Sequence, residues 1–241
     1  MAPKIIPRIP EHRTFVEPFA GGASVTLQKP PSQKEVLADK RPDLLRFYHA
    51  VKSKSRITVP AHTKTVFRRI RDKPESARTP GEFLRFQASG FGGGGSGFAD
   101  GGPKTKMFQQ RLPRYQRRLE DVSIINSDYK STIRRYDSPS TAFYLDPPYP
   151  TDRKGYTDYG RPIPTPHELK TTVANVKGKV LISYPNLPSV KREFRPPHWH
   201  VDRIRVKNAM YASTGTPKTR TELLISNYPA QDRWQPETVE G

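Results

Sequence analysis

Thr14–Val25, TFVEPFAGGASV, decides the fold class. The β-favouring run of Thr14, Phe15 and Val16 leads into the pair Gly21–Gly22, and small helix-compatible residues follow, which predicts a strand, a tight turn and a helix start. The next apolar run, Glu35–Ala38, ends on Asp39, and Pro42–Lys52 (PDLLRFYHAVK) has helical spacing with proline in its first turn. Strand, helix, strand, helix is the opening of an α/β sheet with helices on both faces. The rhythm returns later: Val122–Asn126 (VSIIN), Thr141–Leu145 (TAFYL) and Lys179–Tyr184 (KVLISY) read as strands, and Pro166–Val176 is a weaker helical pattern. Val201–Val206 and Glu222–Asn227 predict a closing pair of strands. There is no internal repeat.

Between the two halves the character changes. Residues 62–118 hold 13 Lys+Arg against 4 Asp+Glu, a net +9, in basic helical stretches broken by the glycine-rich run that starts at Phe91 (FGGGGSGFADGG). That run reads as a linker or loop. The expected organisation is one α/β domain made of residues 1–52 and 121–241, with an inserted, mostly helical region over 53–120. The polar tail from Pro229 is expected to fray.

The whole chain carries 42 Lys+Arg against 23 Asp+Glu over 241 residues, a formal charge of +19. An excess of that size repels itself unless a polyanion lies against it, so nucleic acid is the first partner to expect. The absence of cysteine excludes a disulfide framework, a thiol nucleophile and a thiolate metal site. No stretch resembles a signal peptide or reaches the ~18 apolar residues of a membrane helix, which predicts a cytoplasmic protein, not secreted and without a membrane partner. The 26 prolines predict short elements and stiff connections.

Two motifs fall at the C-terminal ends of predicted strands, where open α/β sheets bind ligands. PFAGG follows the first strand and, alone, is weak evidence. Asp146–Pro147–Pro148–Tyr149 follows the apolar AFYL. Two successive prolines remove two backbone donors and stiffen the chain, so a carboxylate and a carbonyl are presented outward with little freedom. No His/Asp cluster has metal-ligand spacing, and His198 and His200, flanking Trp199, read as a strand end.

Together these pieces resemble the Dam-like, D12-class adenine-specific DNA methyltransferases. The resemblance rests on FVEPFAGG, LADKRPDLLRFY, a central insertion, RRLEDVSIINSDY, FYLDPPYP and RTELLISNY, in that order, and spans about Pro10 to Tyr228. It implies S-adenosylmethionine as cofactor, no metal, double-stranded DNA as partner, a restriction-modification setting, and transfer of a methyl group to N6 of a flipped-out adenine. Glu17, Phe19, Ala20, Gly21 and Gly22 would wall the methionine part of the cofactor, Asp39 would accept from the ribose hydroxyls, and Asp128 and Tyr129 would edge its adenine. An exocyclic amine is a poor nucleophile because its lone pair is delocalised into the ring. Asp146 and the Pro147 carbonyl would take its two hydrogens and localise that pair, with Pro148 holding the turn and Tyr149 stacking on the base. With the ordinary acidity of an exposed aspartate, Asp146 would not deprotonate the amine before attack.

The insertion lies where the class keeps target recognition. Lys64, Arg68, Arg69 and Arg71 on one short helix suit phosphate contacts, and Arg85, Lys104, Lys106 and Arg114 extend the same basic set toward phosphates or base edges. Members of the class usually begin with an aromatic-Gly-Gly-Lys segment ahead of the stretch matching Pro3–Pro10, its lysine holding the cofactor carboxylate. The chain as read starts MAPKIIPRIP, so the expectations are a coding start further upstream, a carboxylate held by another residue, cofactor binding weakened or lost, or a partner chain that supplies the segment. The alternative readings are an RNA adenine methyltransferase, a cytosine N4 methyltransferase and a catalytically silent DNA-binding subunit.

Overall fold

In the computed structural model, residues 1–90, 98, 105–149, 163–207 and 219–229 are described. In chain order the elements are α1 (Ala2–Ile5), β1 (Thr14–Glu17), β2 (Lys34–Asp39), α2 (Pro42–Lys52), α3 (Lys64–Arg71), α4 (Pro80–Ser89), α5 (Thr105–Leu119), β3 (Val122–Asn126), α6 (Tyr129–Tyr136), β4 (Thr141–Leu145), α7 (Pro166–Val173), β5 (Lys179–Pro185), α8 (Pro188–Glu193), β6 (His200–Lys207) and β7 (Thr219–Ser226). They group into two compact units. One comprises Met1–Ala38, Ser127–Lys207 and Thr219–Gly241; the other comprises Asp39–Asn126 and Asn208–Lys218. By this grouping α2 and β3 go with the basic helices.

The first unit is a mixed sheet. β2, β1, β4 and β5 run parallel in that spatial order, and β7 and then β6 add antiparallel at the β5 side. Parallel strands are covered on both faces, which is why β4 reads TAFYL with all five residues buried and β5 buries Val180–Tyr184. Phe15 pairs with Ala142, so by strand alternation Phe15, Ala142 and Tyr144 share one face. With Leu181, Leu224, Ile204 and Val206 they pack on Ala2, Ile5 and Ile9 at the N-terminus. Tyr228 closes this core, its hydroxyl donating to Arg8 O at 2.7 Å.

The helix start expected after Gly21–Gly22 does not develop. Residues 24–28 are turns, held by Leu27 N to Ala23 O at 2.9 Å and Lys29 N to Val25 O at 2.9 Å. Pro30 and Pro31 stop the spiral after barely a turn. Inside it, both donors of Thr26 are drawn off to the Glu17 carboxylate.

In the second unit α3 buries Phe67 and Ile70 and leaves its basic side chains outside. Phe67 stacks on Phe86 of α4 at 5.3 Å between ring centres. A capping box between Thr79 and Glu82 starts α4. Glycine is required at position 81, because a Cβ there would sit 1.8 Å from Thr58 O. Asp43, with no exposed surface, meets Arg78 at 3.0 Å and Arg41 at 3.3 Å. Arg78 also donates to Ile70 O and Arg71 O at 3.0 Å each, capping the C-terminal end of α3. Among the described residues no helix is long and apolar enough to cross a membrane. The glycine-rich run other than Phe98, and the tail beyond Pro229, lie outside the described residues.

Candidate active site

The turn after β1 is fixed at both ends. Ala20 N donates to Ala38 O at 2.9 Å, tying the loop to the end of β2, and Ala23 N donates back to Ala20 O at 2.6 Å. Gly21 has φ +44°, a conformation glycine takes without a steric cost. Gly21 and Gly22 are exposed, and a Cβ on Gly22 would meet no atom within 4 Å, so the backbone faces open space. Glu17 is buried beneath this turn. Its Oε1 accepts from Thr26 N at 2.7 Å and Thr26 Oγ1 at 2.6 Å, and burial, reinforced by the nearby Asp146, pushes its pKa up to about 7.

Asp39 closes β2, and its Oδ1 accepts from Arg41 N at 2.9 Å. Asp128 is the N-cap of α6, accepting from Ser131 N at 3.0 Å. Tyr129 and Phe19 stack at 5.0 Å between ring centres. That spacing is too close for a third ring between them, so a nucleobase would lie against the outer edge of the pair.

At the end of β4 the chain turns into Asp146–Tyr149. Register explains what meets there. Tyr144 and Asp146 alternate onto the same face, Ser183 on β5 shares it, and Glu222, paired with Pro185, joins from β7. Ser183 Oγ donates to Asp146 Oδ1 at 2.7 Å, and the Tyr149 hydroxyl donates to the same oxygen at 3.3 Å. Tyr144 Oη sits 3.0 Å from Ser183 Oγ and extends the chain of hydroxyls into the core. Burial raises the Asp146 pKa above the ordinary aspartate value, with the two donors opposing it. This corrects the expectation of an exposed aspartate of ordinary acidity: the residue is half-buried, its carboxyl held by Ser183 and Tyr149 with Tyr144 behind them.

Glu222 is 0% exposed. Its Oε1 lies 2.6 Å from Arg220 Nε in an ion pair, and among the described residues neither carboxylate oxygen has a hydrogen bond of full geometry. Burial raises its pKa, as does the charge of Asp146, while Arg220 lowers it. The Arg220 guanidinium lies over the Tyr149 ring, 5.5 Å from its centre. Burial and the two carboxylates push the Tyr149 hydroxyl far above the usual phenol range.

Of the basic side chains, Lys64, Arg68, Arg69 and Arg71 are exposed on α3 and Arg114 is exposed on α5. Arg71 Nε is engaged with Asp72 at 2.8 Å. Arg85 does not join them: it is 6% exposed, with Nε donating to Pro60 O at 2.7 Å. It falls in the continuous buried run Gly81–Phe86 of α4, and its guanidinium secures the Pro60 loop. Lys104 lies outside the described residues, as does the Lys106 side chain.

The sequence pattern of the D12 class N6 adenine-specific DNA methyltransferases matches residues 1–88 and 87–211. The chain belongs to this class. A DNA adenine methylase of Vibrio cholerae serotype O1 is 31% identical over 162 residues, which is 58% of this chain and 58% of the relative. The type II methyltransferase M.CviBI of Paramecium bursaria Chlorella virus NC1A is 28% identical over 164 residues, 61% of this chain and 62% of that one. The D12 chain thus spans about three-fifths of the length of these relatives. A precorrin-8W decarboxylase from Methanobacterium thermoautotrophicum overlays with a TM-score of 0.41 at 10% identity, covering 93% of this chain and 86% of that one.

Sequence reasoning about the D12 chain missed Thr26, Tyr144, Ser183, Arg220 and Glu222. One signal was available: Ser183 is the one polar residue in the apolar run VLISY, and such a hydroxyl needs a partner. Glu222 gave none, since a glutamate near the start of a strand ordinarily points to water.

Proposed function

We propose that this chain transfers a methyl group from S-adenosylmethionine to N6 of adenine in double-stranded DNA. The observation that carries the reading is the held carboxylate of Asp146 at the end of β4, within a chain that matches the D12 class. S-adenosylmethionine supplies an electrophilic methyl on a sulfonium. The chain's contribution is binding, orientation and a place for a proton.

The exposed Phe19–Gly22 turn fits a cofactor's polar chain because its backbone faces open space, and the Phe19–Tyr129 pair offers an apolar edge to a purine. Asp39 is the acceptor for ribose hydroxyls, and Asp128 fixes the start of α6 beside Tyr129. Glu17 serves from beneath: by gripping Thr26 it holds the turn after Gly22 in place.

Ser183 and Tyr149 both donate to Oδ1 of Asp146, so among the described residues Oδ2 has no protein donor and is the acceptor for one N6 hydrogen. The Pro147 carbonyl takes the other. Those two acceptors draw the nitrogen lone pair out of conjugation, and Tyr149 stacks on the extruded base. After transfer the nitrogen is cationic and acidic. Asp146, made a weaker acid than usual by burial, is well suited to receive that proton. Lys64, Arg68, Arg69 and Arg114 position the duplex through its phosphates, and a DNA substrate suits a cytoplasmic location.

Incubation with methyl-labelled S-adenosylmethionine and unmethylated duplex DNA tests the reading. Label in N6-methyldeoxyadenosine supports it. Label in cytosine, or in RNA alone, overturns it.

A further inference from the structure

The Tyr149 hydroxyl presents a conflict. It donates to Asp146 Oδ1 at 3.3 Å, a long contact, while Ser183 already donates to the same oxygen at 2.7 Å. An arriving amine uses the other oxygen, Oδ2, and each donor already held on Oδ1 makes the carboxylate a weaker acceptor for it. Beside this stands Glu222, fully buried on the same sheet face, with two carboxylate oxygens that have no hydrogen bond of full geometry among the described residues. A buried acceptor in that condition is costly and calls for a reason. The Tyr149 hydroxyl is close enough to Glu222 for its donor to lower the Glu222 pKa and for the Glu222 charge to raise its own. Arg220 completes the arrangement. Its Nε holds Glu222 at 2.6 Å while its guanidinium covers one face of the Tyr149 ring, so the opposite face alone is left for a base.

We propose that Glu222 and Arg220 are positioning residues for Tyr149: Arg220 backs the ring, and the buried Glu222 carboxylate accepts the Tyr149 hydroxyl when an exocyclic amine occupies Asp146. The inference deepens the methyl-transfer reading and rests on it for its catalytic half. In the free protein the hydroxyl leans to Asp146. With the amine bound, rotation of the Cζ–Oη bond and a small ring shift turn the hydroxyl to Glu222, which frees Asp146 Oδ1 of one donor and fixes the stacking plane. Among the described residues the charged and titratable groups facing this hydroxyl are Asp146, Glu222 and Arg220, with Glu17 and Tyr144 behind Asp146.

The test is a double-variant cycle on the full chain with Glu222→Gln, Tyr149→Phe and the pair. Glutamine keeps the shape and removes a buried charge, so folding is expected to hold. Glu222→Gln should lower kcat about tenfold with DNA affinity unchanged, a loss of the size of one transition-state hydrogen bond. On top of Tyr149→Phe it should change kcat by less than about twofold, since the hydroxyl it serves is gone. Arg220→Gln, at a side chain 42% exposed, reaches the same device from the Arg220 side, taking away the ring's backing and the Glu222 ion pair, and should also lower kcat. Additive losses in the cycle would overturn the proposal.

A second readout needs no turnover. In protein labelled with carbon-13 at tyrosine Cζ, the Tyr149 resonance, assigned by its loss in Tyr149→Phe, should move on Glu222→Gln. A resonance unmoved by Glu222→Gln overturns the coupling even where methylation is intact. A wild-type chain that methylates no adenine but shows the shift overturns the methyl-transfer reading and leaves the coupling standing.

Discussion

Replacing Glu17 with glutamine should make the protein more stable at pH 8 than the wild type, relative to their difference at pH 4.5. Glu17 is 2% exposed, and burial first, then the neighbouring Asp146, raises its pKa from 4.5 to about 7. The folded state therefore binds a proton more tightly than the unfolded chain. Stability from this group is present in full below pH 4.5 and is lost as pH rises through about 7. Each pH unit of that window is worth about 1.4 kcal/mol, which makes the whole loss on the order of 3 kcal/mol. Glutamine does not titrate, and its side-chain oxygen can accept from Thr26 N and Oγ1 as Oε1 does now. Urea unfolding of both proteins at intervals from pH 4.5 to 8 is the assay. The gap between the two should open across that range in favour of Glu17→Gln. Parallel stability curves would refute the reasoning, for they would mean that the Glu17 carboxylate is no costlier folded than unfolded.

Asp146→Ala should lose far more than tenfold in methyl transfer, over about 1.4 kcal/mol, with DNA affinity retained; a residual rate above a tenth of the wild type contradicts its role. Arg68→Ala with Arg69→Ala should weaken binding to all DNA sequences alike and lower the salt dependence of binding, log K against log salt, by roughly 2, one phosphate contact each; a sequence-selective loss would make them base readers. Gly81→Ala should destabilise the helical unit by about 2 kcal/mol, because its Cβ would meet Thr58 O at 1.8 Å, and an unchanged unfolding midpoint would contradict that packing.

The strands of the sheet were readable because local pattern and tertiary demand agree. TAFYL is apolar throughout because β4 is covered on both faces, and Pro42–Lys52 carries both its start and its helical spacing in the residues. The turn after Gly22 was not readable, because Glu17 captures the donors of Thr26 and that pairing is nine residues apart. α6 was missed because YKSTIRRY has little apolar patterning, and its helix is set by the Asp128 cap. Arg85 looked like its basic neighbours, yet α4 buries six successive residues, and Arg85 within them turns its guanidinium to Pro60 O. The site was half visible. Asp146 and Tyr149 announce themselves by the prolines between them, while Ser183, Arg220 and Glu222 arrive through the register of β5 and β7, which no single stretch of sequence contains.

The most direct measurement is product identity. Wild type and Asp146→Ala are incubated side by side with labelled S-adenosylmethionine and either unmethylated duplex DNA or RNA, and the labelled nucleoside is identified after digestion. The expected result is N6-methyldeoxyadenosine from DNA with the wild type and none with Asp146→Ala. A labelled cytosine, label in RNA alone, or equal product from the Asp146→Ala protein would contradict adenine N6 transfer at the Asp146 site.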